Sequence, residues 1–229
     1  MNDAFLSRRG LLGAGLALPL LALLGCTGEM GPYGLGSPIR RLLTLASQRA
    51  FANLLRDNGF FNDPVAQVTL PAQLGGTGAA SLLASDLLRQ PAVRDQLLRL
   101  VNAAATSAAR SAAPLVFDTV ARMRARDAVF IVRGGSTAAT EYLQRELGNA
   151  VFDALLPGVG TALASLDNGL LGRALQAASG IDLPRLRYDV ARKASDGIYR
   201  AIGREEASIR ANPRATRDPV LITAFGGLN

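Results

Sequence analysis

Not one of the 229 residues is a histidine or a tryptophan, and the chain has a single cysteine, Cys26, and a single lysine, Lys193. Without histidine, the Ser-His-Asp and Cys-His constellations, most zinc sites and the commonest general base near neutral pH are excluded. A lone cysteine rules out an intramolecular disulfide, so packing alone has to hold the fold. What remains for catalysis is Asp, Glu, Tyr, Ser, Thr and Lys193, and no spacing places two acids across one bond. The expectation is a protein that is not an enzyme and carries no metal and no cofactor.

The cysteine closes an apolar run. Residues 7 to 26, SRRGLLGAGLALPLLALLGC, begin with Arg8 and Arg9, continue apolar from Leu11 to Gly25, and end in small residues. These are the three parts of an export signal. Fifteen residues rise only about 22 Å as a helix, short of the roughly 20 residues that cross a bilayer comfortably. Leu23-Leu24-Gly25-Cys26 resembles the bacterial lipobox, in which the thiol is alkylated by diacylglycerol and the chain is cut before the cysteine. The plainer alternative is an ordinary signal or anchor that contains a buried cysteine. Acylation accounts for a lone cysteine in an exported chain, and two or three acyl chains hold where one binds only reversibly. Ser7-Arg8-Arg9-Gly10 also resembles the twin-arginine export signal, and the two export routes stay open. Thr27, standing where an aspartate would retain a lipoprotein at the inner membrane, favours the periplasmic face of the outer membrane.

Removal of residues 1–25 takes away Arg8, Arg9 and Asp3 and leaves a net charge of +6, from 23 basic and 17 acidic side chains. Arginine surplus suits phosphate and carboxylate partners. In that compartment these are anionic headgroups, cell-wall polymers or an acidic protein, and nucleic acid is not expected. Residues 26–37, rich in glycine and without apolar period, read as a lipidated tether. About eleven flexible residues average roughly 18 Å end to end, which keeps the domain close to its membrane.

Residues 38–229 read as one all-α domain of about six to eight helices. Pro38 opens a helix with Ile39, Leu42, Leu43, Ala46, Ala50, Leu54 and Leu55 inward, closed by Asn58-Gly59. Residues 60–71 read as an extended, proline-bounded cover. Leu74 to Ala80 superficially resembles a dinucleotide loop, but its spacing is wrong and no strand precedes it. A short helix is expected from Ser81 to Gln90 and a longer one from Pro91. Its alanine-rich middle, residues 103 to 113, would let another helix approach closely, and Pro114 should kink or restart it. Asp127 is placed to cap the next helix, which Gly134-Gly135 ends. Ser136 or Thr137 then caps a helix with Leu143, Leu147, Val151 and Leu155 inward, broken at Pro157-Gly158. Residues 158–179 are weakly amphipathic. Pro184 starts the clearest pattern, with Leu186, Val190, Ala194, Gly197, Ile198, Ala201, Ile202 and Ile209 inward, ended by Asn212-Pro213. Leu221, Ile222 and Phe225 form a closing apolar patch.

Three stretches, DAVFIVRGGSTAATEYLQ from Asp127, ARKASDGIYRAIGREEASIRANP from Ala191, and the looser Asn62 to Leu74, together resemble a bacterial family, domain of unknown function 4197. The likeness runs from about Ser47 to Phe225. It implies an exported, often lipidated, helical protein, and it implies no activity and no catalytic residues.

Two clusters offer chemistry. In Arg133-Gly134-Gly135-Ser136-Thr137, a glycine turn feeding a helix start offers free N–H groups and a positive dipole end for a phosphate or carboxylate. The favoured alternative is a C-cap followed by an N-cap in a helical hairpin. Glu205 and Glu206 point about 100° apart on a helix and so do not form a hydrolase pair. Arg210, four residues past Glu206, suits a structural ion pair. Glu205 falls on the inner stripe and would need a partner such as Lys193, Arg192 or Arg133. Lys193 is also a candidate base if buried, and Tyr142, Tyr188 and Tyr199 read as core caps with outward hydroxyls. Arg200 and Arg204 are where a charge-dependent partner would be tested. The function expected is an envelope interaction or structural lipoprotein, held to its membrane through Cys26. The alternative is a helical carrier whose inner stripe encloses a cavity for a lipid or other apolar ligand.

Overall fold

A computed structural model describes residues 36–70, 90–124, 128–164 and 183–227. The leader, residues 26–35 of the tether, the glycine stretch 74–80, the expected helix 81–89, Asp127 and most of residues 158–179 lie outside the described residues, while the last two tether residues, Gly36 and Ser37, already belong to the first helix. Within them are eight α-helices and no strand: α1 Gly36–Leu54, α2 Gly59–Asn62, α3 Pro91–Arg122, α4 Ala128–Arg133, α5 Ala138–Leu147, α6 Ala150–Ala164, α7 Leu183–Ala211 and α8 Pro219–Phe225. A 3-10 turn, Pro213–Thr216, joins α7 to α8. The fold is all-α, as the patterning implies.

Helices α1, α3, α6 and α7 pack together around one core. The α1 stripe of Ile39, Leu42, Leu43, Ala46, Ala50 and Leu54 is buried, and so is the α7 stripe from Leu186 to Ile209. The alanines of α3 do what small side chains allow. Ala104, Ala105, Ala108, Ala109 and Ala112 are buried, and a Cβ added at Gly158 of α6 would come within 3.0 Å of the Ala108 Cα. Backbone meets backbone there, which suits the long dry contact between these two helices.

Three boundaries differ from the sequence reading. Helix α3 continues for 32 residues with Pro114 inside it rather than restarting there. Helix α6 likewise runs through Pro157 to Ala164. The break falls instead at Gly148, whose φ of +51° is a glycine conformation, and α5 and α6 meet there at 72°. Flanking packing holds the proline-containing helices, while the backbone sign at Gly148 has no alternative. Leu143, Leu147, Val151 and Leu155 are all buried as expected, but on two helices. Residues 59–62 form the single turn α2 instead of the start of an extended cover, entered through Asn58 in the left-handed region at φ 57°.

No single helix among the described residues is long and apolar enough to cross a membrane.

Candidate functional site

Glu206, not Glu205, is the buried acid. Its side chain is 0% exposed, while Glu205 stays partly open and, among the described residues, pairs with the Arg204 Nη2 at 3.5 Å. A carboxylate taken out of water is costly unless hydrogen bonds replace its hydration. Glu206 receives four. The backbone N–H groups of Ala139 and Thr140 donate at 3.0 and 2.7 Å, the Thr140 hydroxyl at 2.6 Å, and the Arg210 Nε at 2.7 Å. The first turn of α5 is therefore capped by a carboxylate from another helix, placed at its positive dipole end.

Arg210 does the converse. Its Nη1 and Nη2 donate to the carbonyls of Val132 and Ile131 at 3.0 and 2.9 Å, and its guanidinium lies 4.8 Å from the Phe225 ring centroid. A cation thus sits at the C-terminal end of α4, where the dipole is negative. One ion pair on α7 closes the end of α4 and the start of α5.

The expected anion site sits beside this clamp. Arg133, Gly134 and Ser136 line an open cavity of about 380 Å³ with Arg210 and Phe225. Gly135 is exposed in the same turn. Thr137 faces elsewhere: it stands at the N-cap position of α5 without capping, and its hydroxyl donates to Glu141 at 2.8 Å. The structure hence splits the five residues between two surfaces. The first-turn amides of Ala139 and Thr140 are already occupied by Glu206. The donors expected from the sequence were the amides of the turn at 134–137; the amides that Glu206 takes are those of Ala139 and Thr140, just beyond it.

The other half of α7 holds the segment after α2. Asp63 Oδ1 accepts from the N–H groups of Val65 and Ala66, both at 3.0 Å, and from Arg204 Nη1 at 2.8 Å. Arg200 Nε donates to the Val65 carbonyl at 2.6 Å, and Lys193 Nζ to that of Thr69 at 2.8 Å. Across the segment, Asn102 of α3 accepts from Val68 N–H at 2.8 Å and donates to its carbonyl at 2.9 Å. Gly197 sits where α7 crosses closest; a Cβ there would lie 2.7 Å from the Ala66 oxygen. Burial pushes the Asp63 carboxyl upward, and the hydrogen bonds from Arg204, Val65 and Ala66 outweigh it, leaving its pKa below the ordinary value.

These contacts correct several sequence expectations. Lys193 is no buried base, because it pairs with Asp189 at 3.0 Å and grips Thr69, and neither it nor Arg133 partners Glu205. Arg200 and Arg204 are fasteners of residues 63–65, which disqualifies them as neutral probes of an outside partner. Asp63 was legible as the start of an Asx turn before Pro64; Asn102 carried no signal beyond a polar residue on an apolar stripe. Of the three tyrosines, Tyr188 is outward, Tyr142 gives its hydroxyl to the Arg124 carbonyl at 3.3 Å, and Tyr199 is 5% exposed with its hydroxyl buried and unpartnered. Burial, helped by the nearby Asp196 charge, pushes the Tyr199 phenol up to about 12.

Cavities of about 450 and 460 Å³ open beside the start of α1 and between α5 and α7. Both open to the surface, and the α1 and α7 stripes pack into the core.

The family model described as protein of unknown function, DUF4197, matches residues 33–226, and the chain belongs to that family. No curated protein and no solved structure shows significant similarity to it.

Proposed function

We propose that this DUF4197 chain is a lipid-anchored envelope protein on the periplasmic face of the outer membrane, and that it works as a non-enzymatic module binding a partner protein or an anionic envelope polymer. The observation that carries the proposal is Leu23-Leu24-Gly25-Cys26, a lipobox-like ending on an apolar run that contains the chain's one cysteine. The domain's chemistry is consistent with it. Asp63, Lys193, Arg204, Glu206 and Arg210 are all spent on holding helices and the 63–69 segment in place. That leaves a surface of exposed arginines as the means of recognition.

Mass spectrometry of the chain purified from membranes tests the anchor: an acylated Cys26 at the new amino terminus is expected, and an unmodified thiol on an intact chain would overturn it. Cross-linking in intact envelopes tests the role. A discrete partner is expected, lost in high salt and weakened by R133E, a substitution at an exposed arginine of the candidate anion site that makes none of the contacts fastening α7. A pattern indifferent to salt and to that charge would count against the module.

A further inference from the structure

Phe130 is 79% exposed, the most exposed large apolar side chain among the described residues, and Val129 beside it is 42% exposed. A six-residue helix does not need two outward apolar residues for its own stability. Their position gives them a use. The cavity lined by Ser37, Arg40, Arg41, Ala121, Thr216 and Asp218 shows that the start of α1, the end of α3 and the 3-10 turn meet at one end of the domain. Helix α4 follows the end of α3 by five residues, touches α1, and is gripped through its carbonyls by Arg210 just before that turn. Helix α4 is thus held beside the end of α7 that leads into this turn, and residues 1–35 join the domain at the start of α1 in the same cluster of elements.

That end is also cationic. Arg40, Arg122, Arg124, Arg214 and Arg217 are exposed there, and none has an ion-pair partner among the described residues. Arg41 is neutralised by Asp218, and Asp118 is the exposed acid one turn before Arg122. Unpaired arginines around a projecting aromatic match an anionic bilayer surface, in which phosphates meet the guanidinium groups and the ring enters the boundary between headgroup and acyl chain.

We infer that this end of the domain is a docking face for anionic phospholipid, with Phe130 as the inserted residue and the arginines around it as the headgroup contacts. The inference rests on the anchored reading, since a short tether from this end is what would hold the face against its membrane.

The absence of tryptophan makes F130W a unique fluorophore. The full acylated chain carrying F130W is reconstituted on phosphatidylcholine vesicles and on vesicles containing phosphatidylglycerol. Flotation on neutral vesicles reports the anchor; emission reports docking. Blue-shifted emission quenched by brominated lipid is expected on anionic vesicles alone. Each reversal among R122E, R124E and R217E should lower the docked fraction at least about fivefold, the weight of one interfacial charge. Water-exposed emission on anionic vesicles would overturn the docking face even if the chain floats. A C26A chain that fails to float on neutral vesicles yet still shifts on anionic ones would uphold docking without the anchor. A blue shift that grows with protein concentration in the absence of lipid would overturn the proposal in favour of a second copy of the chain.

Discussion

Two ion pairs on α7, six residues apart in register, do different jobs. Glu206–Arg210 is enclosed, with side chains 0% and 10% exposed, and besides the bond between its two members it ties α7 to the end of α4 and the start of α5. Asp63–Arg204 is half open, its arginine 33% exposed, and it fastens one loop to one helix. The same chemistry therefore has different weight: water can take over part of the second pair's work if it breaks, and none of the first's.

The comparison is broken most severely by E206A. It strands Arg210 beneath Phe225 and uncaps α5, for an expected loss of about 3–5 kcal/mol in urea unfolding. The double variant E206L/R210M, which removes both charges, should recover much of that loss. D63N should cost less, about 1.5–3 kcal/mol, and should also change the acid limb. Because the folded pKa of Asp63 is depressed, its contribution is present above the unfolded value of 3.8 and is lost as pH falls from there through the lower folded value. Wild type should lose stability below about pH 4 more steeply than D63N. An acid limb unchanged by D63N would show that the Asp63 charge does not help to hold the loop.

Smaller effects sharpen the contrast between loop and helix contacts. G197A places a methyl group 2.7 Å from the Ala66 oxygen and should cost about 1–3 kcal/mol as the segment is displaced. G203A crowds the Thr137 methyl at 3.1 Å, which can yield, meets Thr140 Cγ2 only at an ordinary 3.8 Å, and should be near neutral. Y199F should be the mildest at neutral pH, since it deletes a buried hydroxyl without a partner. Its signature lies in alkali. The raised phenol contributes stability that is full below pH 10 and is lost as pH climbs from there towards about 12. Y199F should remove that decline.

How far the sequence discloses this design varies along α7. Its apolar stripe, its start at Pro184 and its end at Asn212-Pro213 follow from periodicity and turn chemistry. The i, i+4 spacing of Glu206 and Arg210 likewise discloses their pairing. Their real targets, two amides and two carbonyls over 60 residues away, are set by tertiary packing that no local pattern encodes. The choice between Glu205 and Glu206 fails for a related reason. A stripe drawn through Ile202 and Ile209 points to Glu205, but the α4–α5 turn packs against the flank and buries its neighbour. Pro114 and Pro157 mislead in the opposite sense, because each lies in a helix walled by others, where tertiary support outweighs one missing hydrogen bond. The turn at Gly134-Gly135 was readable as a helix end and as a source of free amides. The carboxylate already answering the next amides along was not.

The cap that Glu206 supplies to α5 also carries a temporal consequence. Thr140 leaves the ribosome 66 residues before its acceptor does. Until that acceptor arrives, the first turn of the 138–147 stretch has no terminator of its own, because the Thr137 hydroxyl is turned to Glu141. Nascent chains cut short ahead of residue 206 should leave this stretch open to protease, and those extended past residue 210 should close it.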